Sequence, residues 1–171
     1  MAPRIAGAMI ALLLPMPHAA AAQEEATPAC EAPEYRQFDF WVGTWRVENS
    51  AGGEAGRNRI ERILDGCALQ ESWVGAGGGK GHSYSIYDAR SGRWHQTWVD
   101  DQGRLLQLDG GLEEGRMVLE GQWSGPDGSA VRHRIGWGPL EDGRVRQVWE
   151  ISRDDGESWN TVFDGIYIPL G

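Results

Sequence analysis

The chain has 171 residues, with 16 Lys and Arg against 25 Asp and Glu, and a formal net charge of −9. A surface this acidic repels phosphate backbones and anionic headgroups, which argues against nucleic-acid and membrane-surface roles. It suits a neutral or cationic small partner without naming one.

Met1–Arg4 make a short positive start, and residues 5–15 form an apolar run of the length found in a signal-peptide core. The run is too short for a membrane helix, which needs about 20 apolar residues, and no second apolar stretch follows. Ala20 and Ala22 supply the small residues for a cut after Ala22. Residues 1–22 therefore read as a signal peptide, and the protein as periplasmic or secreted, without membrane insertion. The remaining chain, about 149 residues long with a net charge of about −10, is enough for one domain with its own core.

Cys30 and Cys67 are the two cysteines. An even count in an oxidising compartment reads as one disulfide; two buried free thiols are the alternative. A bridge would restrict the unfolded chain by about 4 kcal/mol in the chain-entropy treatment. Residues 23–37 are rich in Ala, Pro and Glu and are expected to form an extended arm anchored by Cys30, with one helical turn around 33–38.

From Phe38 onward, short segments of alternating polarity are separated by turn residues such as Asp65-Gly66, Ser91-Gly92, Glu114-Gly115, Asp142-Gly143 and Asp155-Gly156. Glycine supplies the positive φ of tight hairpins, and Asp tolerates it. The spacing predicts about ten strands, near 39–48, 57–64, 67–76, 81–88, 93–100, 104–111, 116–124, 129–138, 144–152 and 157–168. Short connections without a long crossover favour an all-β, antiparallel up-and-down barrel over 38–171. A β-sandwich is the second choice. A barrel of more than eight strands has room for a cavity.

The opening stretch F-D-F-W-V-G-T-W, Phe38–Trp45, ends in Gly43-Thr44-Trp45, which resembles the G-x-W signature of lipocalins and fatty-acid-binding proteins. Taken with N-R-I-E-R-I-L-D-G-C-A-L-Q-E-S-W, Y-D-A-R-S-G-R-W-H-Q-T-W-V-D and W-E-I-S-R-D-D-G-E-S-W, it is similar to a bacterial family of exported lipocalin-like barrels of unknown function. The resemblance runs over roughly residues 30–168. It implies the barrel and a Trp packed across its closed end, and it implies no activity.

Nine tryptophans are the strongest compositional signal. They serve either as core and cross-strand pairs or as the walls of an aromatic-lined cavity. Strand parity puts Glu71 with Trp73, Gln96 between Trp94 and Trp98, and His133 with Trp137. Those seven residues are the candidate ligand site, with Trp73, Trp94, Trp98 and Trp137 as walls and Glu71, Gln96 and His133 setting orientation. A buried Glu and a His are also the groups that acid–base catalysis of an isomerase or cyclase type uses. Each facing depends on the strand carrying no bulge. The rival to both readings is a solid barrel that meets another envelope protein.

Other motifs carry less. Gly77-Gly78-Gly79-Lys80 lacks the spacing and following helix of a phosphate loop and reads as a loop at the barrel mouth. Ser152–Trp159 fits the S-x-D-x-G-x-[ST]-W hairpin staple known from sialidase propellers, where it is structural. His82, His95 and His133 fall on different strands without metal-ligand spacing. Haem would need an axial ligand, for which His133 is the one candidate. No cofactor is expected.

Overall fold

The computed structural model describes residues 30–125 and 128–171. The expected signal peptide lies outside them, as do residues 23–29 of the expected arm. Ten strands form one closed antiparallel barrel in which every strand pairs with its sequence neighbours and β1 closes on β10. The first half runs β1 (Gly43–Asn49), β2 (Glu54–Ile63), β3 (Ala68–Gly75), β4 (Lys80–Asp88) and β5 (Arg93–Asp100). The second half runs β6 (Leu105–Glu113), β7 (Arg116–Ser124), β8 (Ala130–Pro139), β9 (Val145–Ser152) and β10 (Asn160–Pro169). Closure removes the unpaired strand edges that would otherwise template aggregation.

The first strand starts later than its sequence suggests. Asp39–Trp41 form a single 3-10 turn instead of strand, and it carries Phe38 and Trp41 across the barrel end. There Phe38 stacks on Trp41 with ring centroids 4.9 Å apart and meets Trp94 and Trp137 edge-on. Trp45 Nε1 donates to the Trp41 carbonyl at 3.0 Å, which fixes the turn to the strand that follows. Gly43 sits at the hinge with φ +152°, and a Cβ there would press on the Trp45 indole at 3.2 Å. The G-x-W pattern is therefore a steric requirement, with glycine giving the indole its space.

Of the expected arm, the described residues 30–37 are held by more than Cys30. Pro33–Arg36 form a 3-10 turn. The Cys30–Cys67 disulfide ties its start to the connection between β2 and β3. Arg36 donates to the carbonyls of Cys30 and Gly66. Gln37 Oε1 accepts from Trp94 Nε1 at 3.0 Å, and Tyr35 packs edge-on against Tyr87. These contacts make residues 30–41 a lid seated on one end of the barrel. The fully buried Phe38, Trp41, Trp94, Trp137 and Tyr167 are its core. Burying each such side chain favours folding by about 2–3 kcal/mol relative to leaving it exposed.

At the opposite end, Ser152–Trp159 form the expected hairpin staple. Ser152 Oγ donates to Asp154 Oδ1 at 2.7 Å and accepts from the Gly156 N–H at 2.8 Å. Asp154 in turn accepts from the Ser158 N–H and hydroxyl. Those Ser158 and Ser152 bonds hold its carboxyl down at about 2. Trp159 turns outward, with the Arg134 guanidinium 4.1 Å from its ring centroid.

Candidate functional site

Strands β2 to β5 position the polar residues of the site that the sequence marks, Glu71 and Gln96, and β6 and β8 to β10 supply the rest of its wall. The pairing of β2 to β5 shows no register shift in β3 or β5, so the parity legible in the sequence carries over to the fold. Glu71 of β3 lies directly opposite Ser83 of β4, and Ser85 of β4 opposite Gln96 of β5. Side chains directly opposed in this way have Cβ atoms about 5 Å apart and meet inside the barrel.

A cavity of about 130 Å³ opens into the barrel from the end opposite the lid. Trp73, Trp98, Trp149, Phe163, Leu106 and Ile135 form most of its wall. Glu71, Gln96, Gln147 and Tyr167 supply the polar groups, and Trp137 completes the lining. Five of the seven residues singled out from the sequence thus meet in one place: Glu71, Trp73, Gln96, Trp98 and Trp137.

Trp94 and His133 do not line it. Trp94 is 1% exposed and belongs to the lid, because β5 begins at the capped end and its first inward residue meets Phe38. His133 points inward from β8, but Trp149 Nε1 donates to its Nδ1 at 3.1 Å, and the imidazole sits between Trp123 and Trp149. Burial and the nearby Arg153 charge hold its pKa below the usual histidine value. It positions the Trp149 indole.

Glu71 is the electrostatic centre. Asn58 Nδ2 donates to its Oε1 at 2.6 Å, and Ser83 Oγ donates to its Oε2 at 2.6 Å. Burial nonetheless pushes its pKa up to about 7, against the lowering effect of those two bonds. Asn58 Nδ2 also reaches the Tyr167 hydroxyl at 3.3 Å, and that hydroxyl donates to Gln147 Oε1. Burial, then the neighbouring Glu71 charge, raises the Tyr167 pKa well above its ordinary value. Gln96 Nε2 donates to Ser85 Oγ at 3.0 Å. The result is one polar network across β2, β3, β4, β9 and β10, with a second pair, Ser85 and Gln96, on β4 and β5.

The cavity owes its volume to glycines behind the rings. A Cβ on Gly81 would fall 2.1 Å from Trp98 Cζ2, and one on Gly56 would fall 2.7 Å from Trp73 Cη2. A Cβ on Gly165 would fall 2.6 Å from the Phe163 ring. Each ring therefore lies flat against a neighbouring glycine rather than projecting across the barrel. Sequence parity could not show this for Gly56 and Gly81, which are ordinary strand glycines until their diagonal partners on β3 and β5 are known; Gly165 stands two residues from Phe163 on β10 itself. Asn58, Gln147 and Trp149 share parity with other inward residues and were legible in principle. Phe163 and Tyr167 were harder, since a register shift between Thr161 and Phe163 resets the inward set of β10.

A second constellation lies on the outer face. His95 Nδ1 meets Asp109 Oδ1 at 2.9 Å, and its Nε2 meets Thr97 Oγ1 at 2.8 Å. The order resembles a nucleophile–base–acid relay, yet these residues do not line the cavity. It is a cross-strand polar ladder.

The chain matches no protein-family model and no curated protein. What is established is the all-β closed barrel, the disulfide and the aromatic interior. No helix among the described residues is long and apolar enough to cross a membrane.

Proposed function

We propose that the protein is an exported binding barrel that holds one small, largely apolar, ring-containing molecule. The observation that carries this is the cavity beside Glu71, open at one end and walled by aromatic rings that glycines hold back. Its size sets the class of ligand. An apolar cavity of about 150 Å³ accommodates benzene, whereas drug-sized ligands occupy pockets of about 300–1,000 Å³. A fatty acid or a haem is too large. Trp73, Trp98, Trp149 and Phe163 would hold the ring, and Glu71, Gln96 and Tyr167 would orient it. Export is supported by the apolar start of the chain and by the disulfide, which persists in oxidising compartments. The resemblance to exported barrels rests on the sequence motifs alone.

A Glu with a pKa of about 7 is also suited to proton transfer. Tyr167, the other titratable group of the wall, is shifted well above its ordinary value, so Glu71 would have to take up and return the proton alone. Binding is the better supported reading.

The test uses Gly81→Ala. The added methyl displaces the Trp98 ring into the cavity, so binding of a benzene-sized probe such as indole, followed by tryptophan fluorescence, should weaken at least about tenfold while the barrel stays folded. Unchanged binding in the folded variant would show that the probe sits elsewhere.

A further inference from the structure

The polar groups around Glu71 are short of donors. A carboxylate has about four acceptor positions, and Asn58 and Ser83 fill two of them. Asn58 Oδ1, on a residue 2% exposed, is buried without a partner beside it. Gln96 uses its amide nitrogen on Ser85, and its carbonyl oxygen accepts no hydrogen bond from the described residues. No Lys, Arg or His among the described residues pairs with the Glu71 carboxylate. The lining also holds a buried donor without a partner, Trp137 Nε1, but it is neutral, and the carboxyl at the edge of the aromatic wall has no positive charge to pair with. A carboxylate buried in this way is costly until a cation pairs with it.

An alkylammonium group supplies what is absent: three donors, no acceptor and one positive charge. Its hydrocarbon body suits the ring-sized volume. The faces of Trp73, Trp98 and Trp149 attract a cation that is not fully seated on the carboxylate. The chain's formal charge of −9 raises the local concentration of cations and not of anions. We propose that the ligand is a small aryl or alicyclic amine, bound as its ammonium ion with the nitrogen on Glu71 and the apolar body against Trp73, Trp98, Trp149 and Phe163. This rests on reading the cavity as a ligand site.

Binding of such an ion competes with the proton on Glu71. The other groups that face this carboxyl do not titrate in the same range. Tyr167 stays protonated, and Asn58, Ser83, Gln96 and Gln147 are neutral. His82, on the outer face, meets the Ser72 hydroxyl and the Glu71 backbone carbonyl, each at 3.2 Å, and not the Glu71 carboxyl. Burial, then the Arg153 charge, lowers the pKa of His133 on β8, and its Nδ1 accepts from Trp149.

Calorimetric titration of the mature protein with benzylamine and with toluene, from pH 5 to pH 8, tests the assignment. Benzylamine should bind at least about tenfold tighter than toluene at pH 8. Its affinity should fall by about a hundredfold between pH 8 and pH 5, because each pH unit below the Glu71 pKa removes a factor of ten. Toluene binding should not change with pH. Glu71→Gln, checked for folding by its thermal transition, should bring benzylamine down to the toluene level and flatten its pH profile. Equal binding of the two compounds, or a benzylamine affinity independent of pH in the wild-type protein, overturns the amine assignment and leaves the cavity reading standing. If a folded protein binds neither compound, both readings fail.

Discussion

At the lidded end of the barrel, Trp41, Trp94 and Trp137 are 0–1% exposed and interlock with Phe38. At the mouth, Trp73, Trp98 and Trp149 are only partly buried and lie along the wall. The same residue type fills space at one end and frees it at the other. The difference comes from what stands behind each ring. Lid tryptophans are backed by other aromatics, so they pack as a core. Trp73 and Trp98 at the mouth are backed by Gly56 and Gly81, so they fold outward and leave room. Counting tryptophans could not separate these roles.

Unfolding in urea gives the largest contrast between the two ends. Trp41→Ala should cost about 4 kcal/mol, as large-to-small changes in a packed core do. Trp98→Ala should cost about 1 kcal/mol, because the ring is partly exposed and already borders a cavity. Equal costs would mean that the mouth is as tightly packed as the lid, and the contrast would be lost.

Next in size is the group between the two ends. The folded-state pKa of Glu71, about 7, lies above its ordinary 4.5. The folded protein therefore holds this proton more tightly than the unfolded chain does. The associated stability is fully present below pH 4.5 and is lost as pH rises through 7. Its size is about 3 kcal/mol. Glu71→Gln should remove this part of the pH dependence, so the variant gains on the wild type between pH 5 and pH 8 in thermal or urea unfolding. A constant difference over that range would mean that Glu71 titrates normally.

The smallest effect concerns the rim. Ser152 is fully buried and its hydroxyl serves both Asp154 and the Gly156 N–H. Ser152→Ala should cost about 1–2 kcal/mol by leaving those groups unpaired. It should not change ligand affinity, because Ser152 does not line the cavity. A loss of affinity would show that the hairpin shapes the mouth.

Much of the fold was legible because each strand announces itself by alternation and each turn by Gly or Asp. All ten strands appear near their expected positions. The start of β1 was misplaced for a physical reason. Phe38, Phe40 and Trp41 crowd around Asp39 within four positions, a pattern shared by a half-buried strand and by a turn laid across a barrel end. Parity placed Glu71, Trp73, Gln96 and Trp98 together correctly because β3 and β5 carry no bulge. It misjudged Trp94, since parity gives the face of a strand and not the height along it. His133 shows the same limit: it faces inward, yet the adjacent Trp149 takes its ring nitrogen. Asn58, which caps the Glu71 carboxylate, shares the inward parity of Ile60, but the partner that makes a buried Asn useful lies on the next strand.

The lid that residues 30–41 place on one end, tethered by Cys30–Cys67, has a kinetic consequence. A tube open at both ends could pass a molecule through. This one is a blind well, so whatever goes in must come out by the route it took. On the binding proposed above, it would store, buffer or hand over a ligand and not conduct it. Its release rate is then set by the rim around Trp98, Phe163 and the Gly77–Gly79 loop, and not by the well-packed stopper beneath.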